Sequence, residues 1–158
     1  MQPCLYIVLR NDMASMTPGR ACAQASHATS LFEGYMNQAP PDVAGHWRGV
    51  RKSRYLTWAI GPRKDNETFL DWIEHSRKFG TAIVLGADFD QLLRLKAQLE
   101  CHNDTSSEDF KIDHGLVVDE SYGVKDGAYR HLIEVPTALW VFGDPEVTKL
   151  MTKHLPLF

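Results

Sequence analysis

The chain has 158 residues, 44% of them hydrophobic and 23% charged, with a net charge of −3. That length fits one domain whose core removes roughly 70% of the unfolded surface from water. The composition excludes disordered, collagen-like and mucin-like classes, and the negative balance means that any nucleic-acid role must rest on a local patch. The longest apolar run, Cys4 to Leu9, falls far short of the ~20 residues of a membrane helix. It follows no basic segment and leads into Arg10-Asn11-Asp12, so neither a membrane span nor a secretory signal is expected. Cys4, Cys22 and Cys101 are odd in number and unpatterned, which reads as reduced thiols of a cytoplasmic protein.

Leu5-Tyr6-Ile7-Val8-Leu9 is β-branched, aromatic and too short for a helix, so the spacing predicts a buried strand ended by Asn11 and Asp12. Thr17-Pro18-Gly19-Arg20 then starts a helix, with Thr as cap and Pro at the first position, running to about Tyr35. Pro40, Pro41, Gly45 and Gly49 mark a loop. Tyr55 to Ile60 reads as an extra strand. A helix from about Asn66 to Lys78 carries Phe69, Trp72 and Ile73 on one face and stops at Gly80. Thr81 to Leu85 is the second main strand.

Asp88-Phe89-Asp90-Gln91 fits a capping box, followed by an apolar stripe of Leu92, Leu95 and Leu99. Residues 101–111 read as a loose polar loop. Leu116-Val117-Val118 is a third buried strand ending at Asp119-Glu120-Ser121. Gly123, Asp126 and Gly127 suggest another loop, and Thr137 to Phe142 a fourth strand. Asp144-Pro145-Glu146 caps a last helix with Val147, Leu150 and Met151 inward. Strands alternating with helices predict an α/β fold, a single layered domain over residues 1–158 with a mostly buried sheet.

Three groupings carry chemistry. Arg20, Gln24 and His27 stand at i, i+4 and i+7 on one helix face, among Ala21, Cys22, Ala25 and Ala28. A cation, an amide and an imidazole beside the free N–H groups near Gly19 suit an anionic or ester-containing ligand. The same residues also fit an ordinary solvated face. Asp119, at a predicted strand end, is either a base or orienter or the cap of a turn. The stretch from His46 to Lys64 holds Arg48, Arg51, Lys52, Arg54, Arg63 and Lys64 and no acid, leaving the rest of the chain at −9. Trp47, Tyr55 and Trp58 interleave with these cations, a mixture suited to phosphates and stacked bases, or to a solvated rim over core aromatics.

Other signals are weak. Adjacent Ser26 and His27 diverge by about 100° on a helix and form no dyad. Cys101, His102 and His114 lack zinc-ligand spacing. No phosphate-loop or dinucleotide glycine pattern occurs, and Cys22 reads as packing.

The run Tyr6-Ile7-Val8-Leu9-Arg10-Asn11-Asp12-Met13, with Pro18-Gly19-Arg20-Ala21-Cys22-Ala23-Gln24-Ala25-Ser26-His27-Ala28, resembles peptidyl-tRNA hydrolase type II, the archaeal and eukaryotic form. The likeness resumes at Thr81–Asp88, Asp90–Leu99, Leu116-Val117-Val118-Asp119 and Thr137 to Phe158, about two thirds of the chain. It implies a four-stranded mixed sheet flanked by helices, often dimeric, without metal or cofactor. It also implies hydrolysis of the ester between peptide and tRNA ribose. The family's functional positions would fall on Arg20, Gln24, His27, Asp119 and Thr137.

This chain departs from the family in three places. Arg20 stands where the family has lysine, the segment from Asp119 to Thr137 is longer, and an insertion at about 40–68 contains the basic run. The expected catalytic residues are Arg20, His27 and Asp119, with Gln24, Thr137 and Gly19 binding substrate. Arg48, Arg51, Lys52 and Arg54 are expected to bind tRNA. Arg20 stays protonated and serves as a fixed cation, leaving Asp119, directly or through His27, to activate water. The alternative is a relative that binds tRNA or another partner on the same surface without turnover; a hydrolase of some other acyl ester is a third reading.

Overall fold

The computed structural model describes residues 2–37, 48–52, 55–60, 67–75, 80–107 and 111–158. In chain order the elements are β1 (Leu5–Arg10), α1 (Pro18–Met36), β2 (Arg48–Lys52), β3 (Tyr55–Ile60), α2 (Glu67–His75), β4 (Ala82–Ala87), α3 (Phe89–Thr105), β5 (Asp113–Asp126), β6 (Tyr129–Phe142) and α4 (Pro145–Thr152). The four main strands predicted from sequence lie side by side as β4-β1-β6-β5. β1 runs parallel to β4 and antiparallel to β6, which makes the sheet mixed. The antiparallel hairpin β2–β3 joins the free edge of β5, giving six strands in the order β2-β3-β5-β6-β1-β4.

Alternate side chains of the central strands feed two cores. Leu5, Ile7, Leu9, Val117, Ala138, Trp140 and Phe142 face α1 and α2. Here Phe32 of α1 meets the rings of Phe69, Trp72, Trp140 and Phe142 at centroid distances of 5.0–5.7 Å. Tyr6, Val8, Leu139 and Val141 face the other way, onto Leu92, Leu95 and Leu99 of α3 and onto Leu155. Helices thus cover both faces of one sheet. At the outer edge of β4 the C-terminal tail forms a short bridge: Gly86 donates its N–H to Pro156 (2.9 Å), and Phe158 donates to Val84 (3.1 Å). That contact occupies backbone groups an exposed edge would leave unpaired.

The helix starts follow local chemistry. Thr17 caps α1 with Pro18 in its first turn, and Asp88 with Gln91 closes a capping box on α3. Three expectations are corrected. Residues 101–105 continue α3, because Asn103 is fastened to both backbone groups of Ile112 at 2.8 Å and the last turn is held from outside. The segment 120–134 forms the paired ends of β5 and β6, closed by a two-residue turn with Gly127 at φ 58°. In α4, Leu150 is 58% exposed, while Thr148 and Thr152 face inward. Their hydroxyls donate to carbonyls one turn back, Thr148 to Asp144 and Thr152 to Thr148, so both bury without an orphaned donor.

Candidate functional site

Two irregularities in the β5–β6 ladder build the site. Val117 pairs with Ala138 but Val118 with Pro136, so Thr137 is an extra residue on β6. Pro136 has no N–H to give the ladder, which accounts for a bulge in a central strand. Asp119 then pairs with Val135, and Tyr122 with Ile133, which leaves an extra residue on β5. The Asp119 carboxylate stabilises this second bulge by accepting the N–H of Ser121 at Oδ1 (3.0 Å). Asp119 therefore sits at a bend within a long strand, correcting the expectation of a strand end.

Helix α1 crosses this bend and drops Gln24 onto it. Gln24 Nε2 donates to Asp119 Oδ2 (3.1 Å), and Thr137 Oγ1 donates to Gln24 Oε1 (2.9 Å). The orientation of the amide follows from its partners, since an ionised carboxylate only accepts. Gln24 and Asp119 are each 4% exposed and Thr137 is fully buried. The three form a satisfied polar bridge from helix to sheet. Thr137 spends its only proton on Gln24 and acts from beneath it.

One turn earlier on α1, Arg20 donates from Nη1 to the carbonyls of Gly123 (2.9 Å) and Ser15 (3.3 Å). Its guanidinium lies 5.3 Å from the centre of the Tyr122 ring, and the Tyr122 hydroxyl is hydrogen-bonded to Ser15 Oγ (3.1 Å). Two carbonyls and an aromatic face thus hold the cation. Arg20 has no ion-pair partner among the described residues. Arg10, by contrast, is neutralised by Asp12, at 2.9 Å from Nε and 2.7 Å from Nη2. That hydrogen-bonded guanidinium lowers the Asp12 carboxyl below its usual range.

Arg20, Gln24, Asp119, Tyr122, Gly123 and Arg130 line a polar cleft of about 170 Å³. Of the residues expected from sequence, Arg20, Gln24 and Asp119 meet there, with Thr137 behind them. His27 is half-buried one turn beyond Gln24 on α1. Gly19 is exposed in the first turn, and a side chain there would meet nothing within 4 Å. Arg48, Arg51 and Lys52 lie on β2, at the edge of the sheet; Arg54 lies outside the described residues. In register, Lys52 is opposite Tyr55 and Tyr55 opposite Asp119. The Lys52 end of the edge strand is therefore level with the cleft, two strand spacings or about 10 Å across the sheet.

Arg130 and Tyr122 are the residues that sequence reasoning missed. The available signal was Asp126-Gly127 between Tyr122–Lys125 and the alternating Tyr129–Val135, a pattern that favours a hairpin. Cys22, read as packing, is exposed on the far flank of α1, where it borders an apolar groove of about 430 Å³ with Leu9, Val84 and Phe158. Among the described residues no group of three His, Cys, Asp or Glu side chains could hold a metal ion. Among them, too, no helix is long and apolar enough to cross a membrane. No protein-family model and no curated protein sequence matches this chain.

Proposed function

We propose that the chain hydrolyses the ester between peptide and tRNA in peptidyl-tRNA, with the cleft between α1 and the β5–β6 bend as its active site. The observation that carries this reading is the Gln24 bridge. Residues 95 and 113 positions apart in sequence, Gln24 with Asp119 and Gln24 with Thr137, converge on one amide beside a held cation. These are positions that the resemblance to peptidyl-tRNA hydrolase type II assigns to function.

Ester hydrolysis needs an activated water, a stabilised oxyanion and a donor to the leaving ribose oxygen. Each Asp119 oxygen accepts one hydrogen bond and keeps a further lone pair for a water in the cleft. Gln24 fixes the carboxylate in place and, through Thr137, is itself fixed. Arg20 supplies a fixed positive charge, for a substrate phosphate or for the developing oxyanion. The basic edge strand, level with the cleft, gives the tRNA backbone a place to lie.

The test is peptide release from peptidyl-tRNA by the purified protein. Asp119→Asn should lower kcat by about 10²–10⁴-fold, the range for a lost general base. Release at an unchanged rate in that variant removes Asp119 from the chemistry. The second reading, tRNA binding without turnover, is favoured by one feature: Asp119 is 4% exposed and both its oxygens are already engaged. Binding of tRNA together with no release by the natural chain would establish it.

A further inference from the structure

The cleft has a cation that neither the sequence motif nor the bridge accounts for. Arg130 comes from the lengthened β5–β6 arm, and its guanidinium lies close against Gly123. A Cβ built on Gly123 would stand 2.6 Å from Arg130 Nε and 2.8 Å from Nη2, too close for any real contact. With glycine at 123 the guanidinium rests against the strand, and an added methyl would make this flexible side-chain end shift. Arg20 meets the same residue from the helix side, through the Gly123 carbonyl at 2.9 Å. Two guanidinium groups thus converge on one glycine, and among the described residues neither is paired with a carboxylate.

With Asp119 also in its lining, the cleft carries two positive charges and one negative, a net of +1. Two unpaired cations facing one small cleft repel each other unless an anion lies between them. A phosphodiester has one negative charge and two free oxygens, and guanidinium forks bind such oxygens in pairs. It would bring the cleft to neutrality. We infer that Arg20 and Arg130, spaced by Gly123, form the seat of one phosphodiester of a single-stranded RNA end. This rests on the proposed function in that the seat holds the last phosphodiester of the tRNA while the ester lies toward Asp119. Arg130 is then a binding residue that sets substrate position, and Gly123 its positioning partner.

The probe is a ribodinucleotide ending in adenosine, which has one phosphodiester, compared with adenosine, which has none. The natural protein should bind the dinucleotide at least about tenfold tighter. Arg130→Ala should abolish most of that preference. Gly123→Ala should weaken it with the charge still present, because the added methyl pushes the guanidinium aside. Arg130 is exposed, so its truncation should leave the melting temperature nearly unchanged and its effect can be read as binding. Arg130→Lys should recover only part of the preference, since the fork is gone. A preference that is absent in the natural protein, or unchanged in Arg130→Ala or in Gly123→Ala, overturns the seat. A protein that has the preference and loses it in both variants, yet releases no peptide from peptidyl-tRNA, keeps the seat and loses the hydrolase reading. Peptide release with a preference indifferent to Arg130 does the reverse.

Discussion

Helices α1 and α3 lie on opposite faces of the same central strands, and each buries one side-chain amide. On α3 it is Asn103, whose two polar ends both close on the backbone of Ile112 at 2.8 Å. On α1 it is Gln24, whose two ends reach two other side chains, Asp119 and Thr137. The first arrangement is complete in itself and does nothing but hold the end of the helix to the start of β5. The second leaves a carboxylate on a cleft wall with its orientation fixed. Burying an amide costs free energy unless both ends are paired, so the chemistry at hand is decided by what the pairing leaves exposed. Packing follows the same division: α1 sits on an aromatic cluster, α3 on a leucine stripe.

The largest expected effect comes from removing the centre of the aromatic cluster. Phe32 touches four other rings and is fully buried. Phe32→Ala should cost about 3–5 kcal/mol, against about 2–5 kcal/mol for Leu95→Ala on α3. Urea unfolding of the two variants measures both. A smaller loss for Phe32 would mean that α1 is the less firmly anchored of the two helices.

Next comes acid sensitivity, which belongs to the α3 face. His114 is 1% exposed; its Nδ1 lies 3.2 Å from the Ile112 carbonyl, and its Nε2 has no partner among the described residues. Burial pushes its pKa down to about 4, with Glu100 acting to raise it and Lys96 to lower it. The imidazole is therefore neutral in the fold, while the unfolded chain takes up a proton near pH 6.5. A lowered folded-state value gives stability that is full above about pH 6.5 and is lost as pH falls toward 4. The total loss is about 3 kcal/mol, of which about 2 kcal/mol is gone by pH 5. His114→Leu should flatten this part of the pH profile, and denaturant melts at pH 7.5 and pH 5 read the difference. Equal pH dependence in the two proteins would place the acid sensitivity elsewhere.

Exchanging the two amides for Ala sharpens the comparison directly. Asn103→Ala leaves the buried N–H of Ile112 unpaired, its carbonyl keeping the His114 ring nitrogen, and Gln24→Ala strips Asp119 Oδ2 and the Thr137 hydroxyl of their partner. Each should cost about 2–3 kcal/mol. Only Gln24→Ala should lower turnover at saturating substrate. A parallel loss of turnover in Asn103→Ala would show that activity follows overall stability and not the bridge.

What the sequence could tell divides along the same lines. The strand at Leu5–Leu9 and both helix starts were legible, because a short apolar run, Thr17-Pro18 and Asp88…Gln91 act through neighbouring residues. The spacing of Arg20 and Gln24 put them on one face for the same reason. The last turn of α3 was not legible, since Asn103 depends on a partner nine residues away. Nor were the bulges at Thr137 and Asp119, which exist only in the pairing of two strands. Arg130 entered the cleft unannounced because its place depends on that altered register and on the missing side chain at Gly123. Residues that act through contacts distant in sequence leave no period to read.

The smallest expected effect concerns how each helix is started. On α3 the Asp88 carboxylate accepts the Gln91 N–H at 2.7 Å, and the Gln91 side chain returns a bond to the Asp88 N–H at 3.0 Å. On α1 Thr17 Oγ1 accepts the Arg20 N–H at 3.5 Å, beyond the usual range of a good bond. Asp88→Ala should therefore cost about 1 kcal/mol, the usual worth of a cap, or about 2–4 °C in Tm for a chain of this length. Thr17→Ala should cost less than half as much, because the bond it removes is long and Pro18 still presets the first turn. The start of α1 is instead held by Arg20, whose side chain ties it to Gly123 on the β5–β6 arm. Combining Thr17→Ala with Arg20→Ala should then destabilise by more than the sum of the two, since each change removes what remains of the other's anchor. Strict additivity in that double-mutant cycle would show that the cation contributes nothing to the helix start and is held there for the ligand alone.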